Sequence, residues 1–253
     1  MSKISRISKR RGFDLFRDFY VGGESMKLAA LVSGGKDSVF AVYEMMKAGH
    51  EIVSMVCLEP ENKNSYMYHS VNMTLVPLIS EACDIPLLAV KTAGIKEEEL
   101  LEMSEALSRL VSEKQIEGVC CGAIESSYQK NRVEKICEDL GLRAFLPLWH
   151  RDPSELVSEM IGCGMDIRIA AVAADGFGIT WLGRRLDADA LDDLKELNRK
   201  YYVHIAGEGG EFETAVLDAP FFKKKIVVAL AESKWEKDRG EYRILDAVLK
   251  EKE

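Results

Sequence analysis

Residues 27–51, "KLAALVSGGKDSVFAVYEMMKAGHE", carry the pattern on which the fold turns. An apolar run at 28–32 meets Ser33-Gly34-Gly35-Lys36-Asp37-Ser38. Val39, Val42, Tyr43 and Met46 then recur at helical spacing until Gly49 stops them. The pattern predicts a strand, a loop and a helix over 37–48. Gly34 and Gly35 permit positive φ and leave room for a ligand against the backbone. The first N–H groups of the helix lack partners and carry the positive end of its dipole. Lys36 adds a point charge, and Ser33 and Ser38 add hydroxyls. Together these groups suit a phosphate or pyrophosphate. A tight turn capped by Asp37 or Ser38 is the plainer alternative, but a turn alone has no need of a lysine flanked by hydroxyls.

Outward from this loop, strand-length apolar runs at 52–58, 86–90, 118–124 and 143–146 alternate with helical patterns. The helices are expected at 70–82, with a kink at Pro77, at 97–114 and at 127–140. Such alternation predicts a parallel sheet with helices on both faces. Ligands bind such sheets beyond the strand C-termini, where strand order reverses. The first loop lies at that place, and the fourth strand is expected to flank the same crevice.

The pattern changes after Trp149. A helix near 154–161, a run at 167–174, a helix near 190–200 and two strands in "KKKIVVALAESKW" and "GEYRILDAVL" predict a smaller second α/β region over 149–253. Residues 1–26 read as a poorly ordered extension, with Met26 an alternative natural start. The first 25 residues hold six Lys/Arg against three Asp/Glu. The other 228 hold 28 against 39, net −11. That balance argues against non-specific nucleic-acid binding, since no basic stripe stands out to neutralise phosphates.

The 253 residues are 47% hydrophobic and 30% charged, as in a globular chain with ample length for a core. No apolar run is long enough to span a bilayer. Cys57, Cys83, Cys120, Cys121, Cys137 and Cys163 form no C-x-x-C pair, which predicts buried free thiols in a reducing cytoplasm. The four histidines are scattered and predict no zinc site.

Two further stretches hold chemistry-bearing residues. Glu125, Ser126, Tyr128, Gln129 and Arg132 follow the fourth strand, ahead of a core stripe of Val133, Ile136, Cys137 and Leu140. Their bland reading is capping and a solvated helix start; their position favours a site. Gly122 leaves room for a ligand against the backbone, and Arg132 offers a cation to an anionic one. "GEGGEFET" groups Glu208, Glu211 and Glu213 around three glycines. A flexible surface turn would leave Phe212 and Thr214, which lead into apolar "AVLDAPFF", unexplained. "GRRLD" at 183–187 reads as a charged turn rather than a phosphate site.

The S-G-G-K-D-S loop departs from the Walker A pattern and resembles the PP-loop of the N-type ATP pyrophosphatases. "SYMYHS" (65–70), "GAIESSYQKNRVEKICEDLGLRAFLPLW" (122–149) and "GEGGEFETAVLDAPFF" (207–222) resemble, in order, the diphthine–ammonia ligase family in its compact archaeal-type form. The resemblance implies a HUP-like (Rossmann-like) sheet over 27–148 that binds ATP, with Mg²⁺ on its phosphates, and a C-terminal acceptor-binding region. It implies ATP-dependent amidation of diphthine on translation elongation factor 2. An acyl-adenylate would be attacked by ammonia, with release of AMP and pyrophosphate. Ser33, Gly34, Gly35, Lys36, Asp37, Ser38 and Gly122 would then hold the nucleotide. Lys36, Asp37, Arg132, Glu208, Glu211 and Glu213 would be catalytic, Asp37 also touching the metal. Tyr66, His69, Tyr128, Gln129 and Thr214 would meet the acceptor. The sequence leaves open which glutamate acts on ammonia, and whether copies of the chain associate. A tRNA-modifying PP-loop enzyme and a non-catalytic ATP-binding module stand as alternatives.

Overall fold

The structure is a computed structural model that describes residues 24–60, 71–92 and 98–252. Five parallel strands form the first sheet: β1 (Lys27–Leu31), β2 (Glu51–Pro60), β3 (Leu87–Thr92), β4 (Gly118–Cys120) and β5 (Arg143–Phe145), in the order β3-β2-β1-β4-β5. The order reverses between β1 and β4, so the expected crevice lies where the loop after β1 meets the loop after β4.

Central β1 is buried on both faces, which explains its unbroken apolar run. Leu28 and Ala30 enter one core, and Ala29 enters the other. The second core is closed by α3 (Glu98–Lys114) and α4 (Ser127–Leu140), through Met103, Leu107, Val133 and Ile136. The first core is covered by α1 (Lys36–Lys47) and α2 (Val76–Cys83), and it continues without a break into the C-terminal half through Leu156, Ile167, Leu194 and Ala215.

That half comprises α5 (Pro153–Gly162), β6 (Asp166–Val172), α6 (Ala188–Tyr201), β7 (Phe212–Asp218), β8 (Lys224–Glu236) and β9 (Arg239–Glu251). Its strands form an antiparallel sheet in the order β7-β6-β9-β8. The two halves are also joined by a buried ion pair. Arg151, 11% exposed, reaches Glu44 of α1, 2% exposed, at 3.4 Å and Glu159 of α5 at 2.6 Å.

Three expectations need correction. Pro77 does not kink a helix: a 3-10 turn (Met73–Leu75) precedes α2, and Pro77 occupies its first turn, where no N–H partner is lost. β4 ends at Cys120 rather than 124, because its partner β5 ends at Phe145; Ala123 and Ile124 are buried without pairing. The tail of the glycine-acid stretch, for which no strand is expected, forms β7 from Phe212. Among the described residues, no helix is long and apolar enough to cross a membrane.

Candidate active site

The loop between β1 and α1 is stapled from inside. The Ser38 hydroxyl accepts from the Ser33 N–H at 3.2 Å and donates to the Gly35 carbonyl at 3.0 Å. Gly34 takes φ +83°, a conformation that disfavours any side chain. Gly35 is the N-cap of α1 and brings no capping side chain. β7 does that work from the other half of the chain: Thr214 Oγ1 accepts the Lys36 N–H at 3.0 Å, and the Val216 N–H donates to the Gly34 carbonyl at 3.1 Å. Thr214 is therefore a joint between the second sheet and the loop, not an exposed acceptor contact.

Lys36 is 3% exposed. Its ammonium donates to Asp37 at 2.8 Å and to the Ala206 carbonyl at 2.5 Å, and lies 5.4 Å from the centroid of the Phe212 ring. The lysine thus sits behind the loop, tied to the segment that precedes β7.

In front of the loop is a cleft of about 180 Å³. Leu31, Val56, Leu58, Met73, Met103 and Val133 supply apolar lining, as a nucleobase requires. Ser33, Asp37, Ser38, Gln129, Arg132 and Glu208 supply polar lining. Gly122 also lines the cleft, and the packing of the fold gives a reason of its own for the missing side chain. A Cβ there would stand 2.6 Å from the Asp37 carbonyl group and 2.8 Å from the Ser38 nitrogen. The first turn of α1 takes up this space.

Asp37 has one carboxylate oxygen on Lys36, while Oδ1 is buried and has no hydrogen-bond partner. Burial pushes its pKa up, the Lys36 ammonium opposes the shift, and the Glu208 carboxylate adds to it. A carboxylate with a spare oxygen at the N-terminal end of a helix fits Mg²⁺ held mainly by nucleotide phosphates. Among the described residues, no group of three or more His, Cys, Asp or Glu forms a metal cage of its own.

Arg132 projects from α4 with its guanidinium 3.3 Å from the centroid of the Tyr128 ring, so Tyr128 is a platform that fixes the plane of the guanidinium. Ser126 is the N-cap of α4 and accepts the Gln129 N–H at 3.3 Å, as the bland reading had it.

The three glutamates separate. Glu208 Oε1 accepts the N–H groups of Glu125 and Ser126, both at 2.9 Å, and the residue lines the cleft. Glu211 Oε1 accepts the His204 N–H at 2.9 Å, inside its own loop. Glu213 accepts the Val71 N–H at 3.2 Å. Tyr66 and His69 lie outside the described residues. His204 escaped the sequence reading, as a lone histidine without a recognisable partner. The charged turn reads as expected: Arg184 pairs with Asp193 at 2.7 Å and Arg185 with Asp166 at 3.6 Å. The cysteines are free, and burial pushes Cys121, in the cleft, up to about 11 and Cys137 up to about 12, far from thiolate nucleophiles.

Two family models match the chain. Residues 26–144 fit the family model of the diphthamide synthase N-terminal domain, and residues 152–249 fit that of its C-terminal domain. The chain belongs to the diphthamide synthase family. Relatives of this family named diphthine–ammonia ligase include that of Danio rerio, 39% identical over 228 residues, which cover 82% of this chain and 88% of that one. The Homo sapiens relative is 40% identical over 230 residues, covering 82% and 84%. The Schizosaccharomyces pombe relative is 39% identical over 219 residues; the match covers 80% of this chain but 36% of that longer protein. Among solved structures, the U34-tRNA thiolase NcsA of Methanococcus maripaludis superimposes loosely, at a TM-score of 0.40 and 13% identity, over 78% of this chain and 75% of that one.

Proposed function

We propose that this member of the diphthamide synthase family is an ATP-dependent diphthine–ammonia ligase, with 27–148 binding nucleotide and 149–253 binding the acceptor. One observation carries the reading: a single cleft beside the start of α1 is lined both by apolar side chains and by Asp37, Arg132 and Glu208. The apolar lining takes the adenine. The helix start and loop backbone receive the β and γ phosphates. Asp37 would hold Mg²⁺, which neutralises charge on those phosphates when bound.

Attack of the diphthine carboxylate on the α-phosphate brings two anions together, and Arg132, held flat on Tyr128, offsets that charge. Adenylation turns a poor electrophile into one whose leaving group is AMP. Glu208 spends Oε1 on the start of α4, which leaves Oε2 to take a proton from ammonium beside the acyl group. Ammonia then displaces AMP and the amide forms. Glu211 and Glu213 hold the loop and the neighbouring segment rather than the reacting atoms.

The test is reconstitution with ATP, Mg²⁺, ammonium and elongation factor 2 bearing diphthine. The expected result is AMP release that depends on the acceptor, together with a shift of the acceptor's mass from carboxylate to amide. AMP release that is indifferent to the diphthine-bearing protein would overturn the assignment.

A further inference from the structure

The segment 203–211 meets the cleft through an arrangement that the reaction above does not use. His204 Nδ1 accepts two backbone N–H groups from its own loop, that of Ala206 at 3.2 Å and that of Glu208 at 3.3 Å. An acceptor Nδ1 puts the proton on Nε2, which faces the Glu125 carboxylate at 3.7 Å. The histidine's own N–H is held by Glu211 at 2.9 Å. The two residues whose N–H groups it gathers are the two that reach the other half of the protein. The Ala206 carbonyl accepts from the Lys36 ammonium, and the Glu208 carboxylate caps the start of α4.

We propose that His204 is a positioning residue, a latch that holds the 206–208 turn closed so that Glu208 keeps its place in the cleft and Lys36 keeps its place behind the loop. The inference rests on the ligase reading but concerns a residue outside the lining of the cleft. Two N–H groups converging on one lone pair define the loop's shape. Without that acceptor the turn relaxes, the Ala206 carbonyl leaves Lys36 and the Glu208 carboxylate leaves α4. The apolar lining for the base involves none of these atoms, so nucleotide binding and the chemical step should respond differently.

The test compares wild type, His204→Asn, His204→Gln and His204→Phe as full-length proteins. Asn places a carbonyl oxygen near the position of Nδ1. Gln places one near Nε2 instead, and Phe offers no acceptor. The expected result is a kcat for acceptor-dependent AMP release reduced by roughly 10²-fold in the Phe and Gln variants, as for a displacement of about 1 Å at a reacting group. Asn should recover most of the rate, and KM for ATP should stay near the wild-type value throughout. Thermal melts establish that each variant is folded. A folded His204→Phe variant with wild-type kcat overturns the proposal, and so does Gln rescuing as well as Asn. If wild type itself makes no AMP with the diphthine-bearing acceptor, it is the ligase assignment that fails. The latch is then judged by the melts: loss of Asn rescue of stability relative to Phe would overturn it as well.

Discussion

The hydroxyl of Thr214 is a single atom by which the second sheet fixes the nucleotide loop, so Thr214→Val is a sharp perturbation. Thr214 is 6% exposed, and the Lys36 N–H it accepts belongs to a residue that is 3% exposed. Valine keeps the shape and strands that N–H away from water. An orphaned buried donor costs about 1–3 kcal/mol. Valine's better strand propensity returns a fraction of this, on a scale that spans about 1 kcal/mol in all. For a chain of this size each 1 kcal/mol moves Tm by about 2–4 °C, so a net loss of about 1–2 kcal/mol should lower it by about 2–8 °C. Thr214→Ser keeps the hydroxyl and should recover most of the difference. Differential scanning calorimetry reads the stability, and acceptor-dependent AMP release, which should fall in the valine variant, reads the loop. A valine variant that melts with wild type and turns over at the wild-type rate would refute this role for Thr214.

Two further perturbations follow from the same geometry. Arg151→Ala leaves Glu44 buried with only the Lys47 ammonium, 3.5 Å away, and should cost about 3–5 kcal/mol in a urea melt, whereas a loss under 1 kcal/mol would mean the pair is solvated. Asp37 has a folded pKa above its unfolded one, so the folded chain holds that proton more tightly. The destabilisation this causes is absent below the unfolded value, grows as pH rises toward the folded value and is complete above it. The Tm of Asp37→Asn minus that of wild type, without nucleotide, should therefore shift in the variant's favour from acid to neutral pH; a flat difference would contradict the buried, under-partnered carboxyl.

The parts of this fold that rest on local chemistry are visible in the sequence, and the parts that rest on long-range pairing are not. Helix α4 runs Ser127–Leu140 as the pattern predicts, because Ser126 caps its start and Gly141, at φ +67°, ends it. The strand–loop–helix of β1 and α1 is equally local. β7 was hidden because Thr214, Ala215, Val216 and Leu217 are all buried. A strand buried on both faces shows no alternation.

The same limit divides the site. The loop, Gly122, Arg132 and Glu208 could be picked out because glycines and charges at strand C-termini follow a rule of the fold. Whether Glu211 and Thr214 touch substrate or scaffold depends on which backbone N–H groups they meet, and those lie up to 178 positions away in the chain. His204 carried no signal at all: its partners are backbone amides, which every sequence supplies.

The most direct test of an adenylated intermediate follows the oxygen atoms of the acceptor. Elongation factor 2 whose diphthine carboxylate carries oxygen-18 would be converted with ATP and ammonium, and the AMP released analysed by mass spectrometry. An acyl-adenylate predicts one heavy oxygen transferred from the carboxylate to the phosphate of AMP for each amide formed. Unlabelled AMP, with the heavy oxygen in water, pyrophosphate or inorganic phosphate, would contradict it.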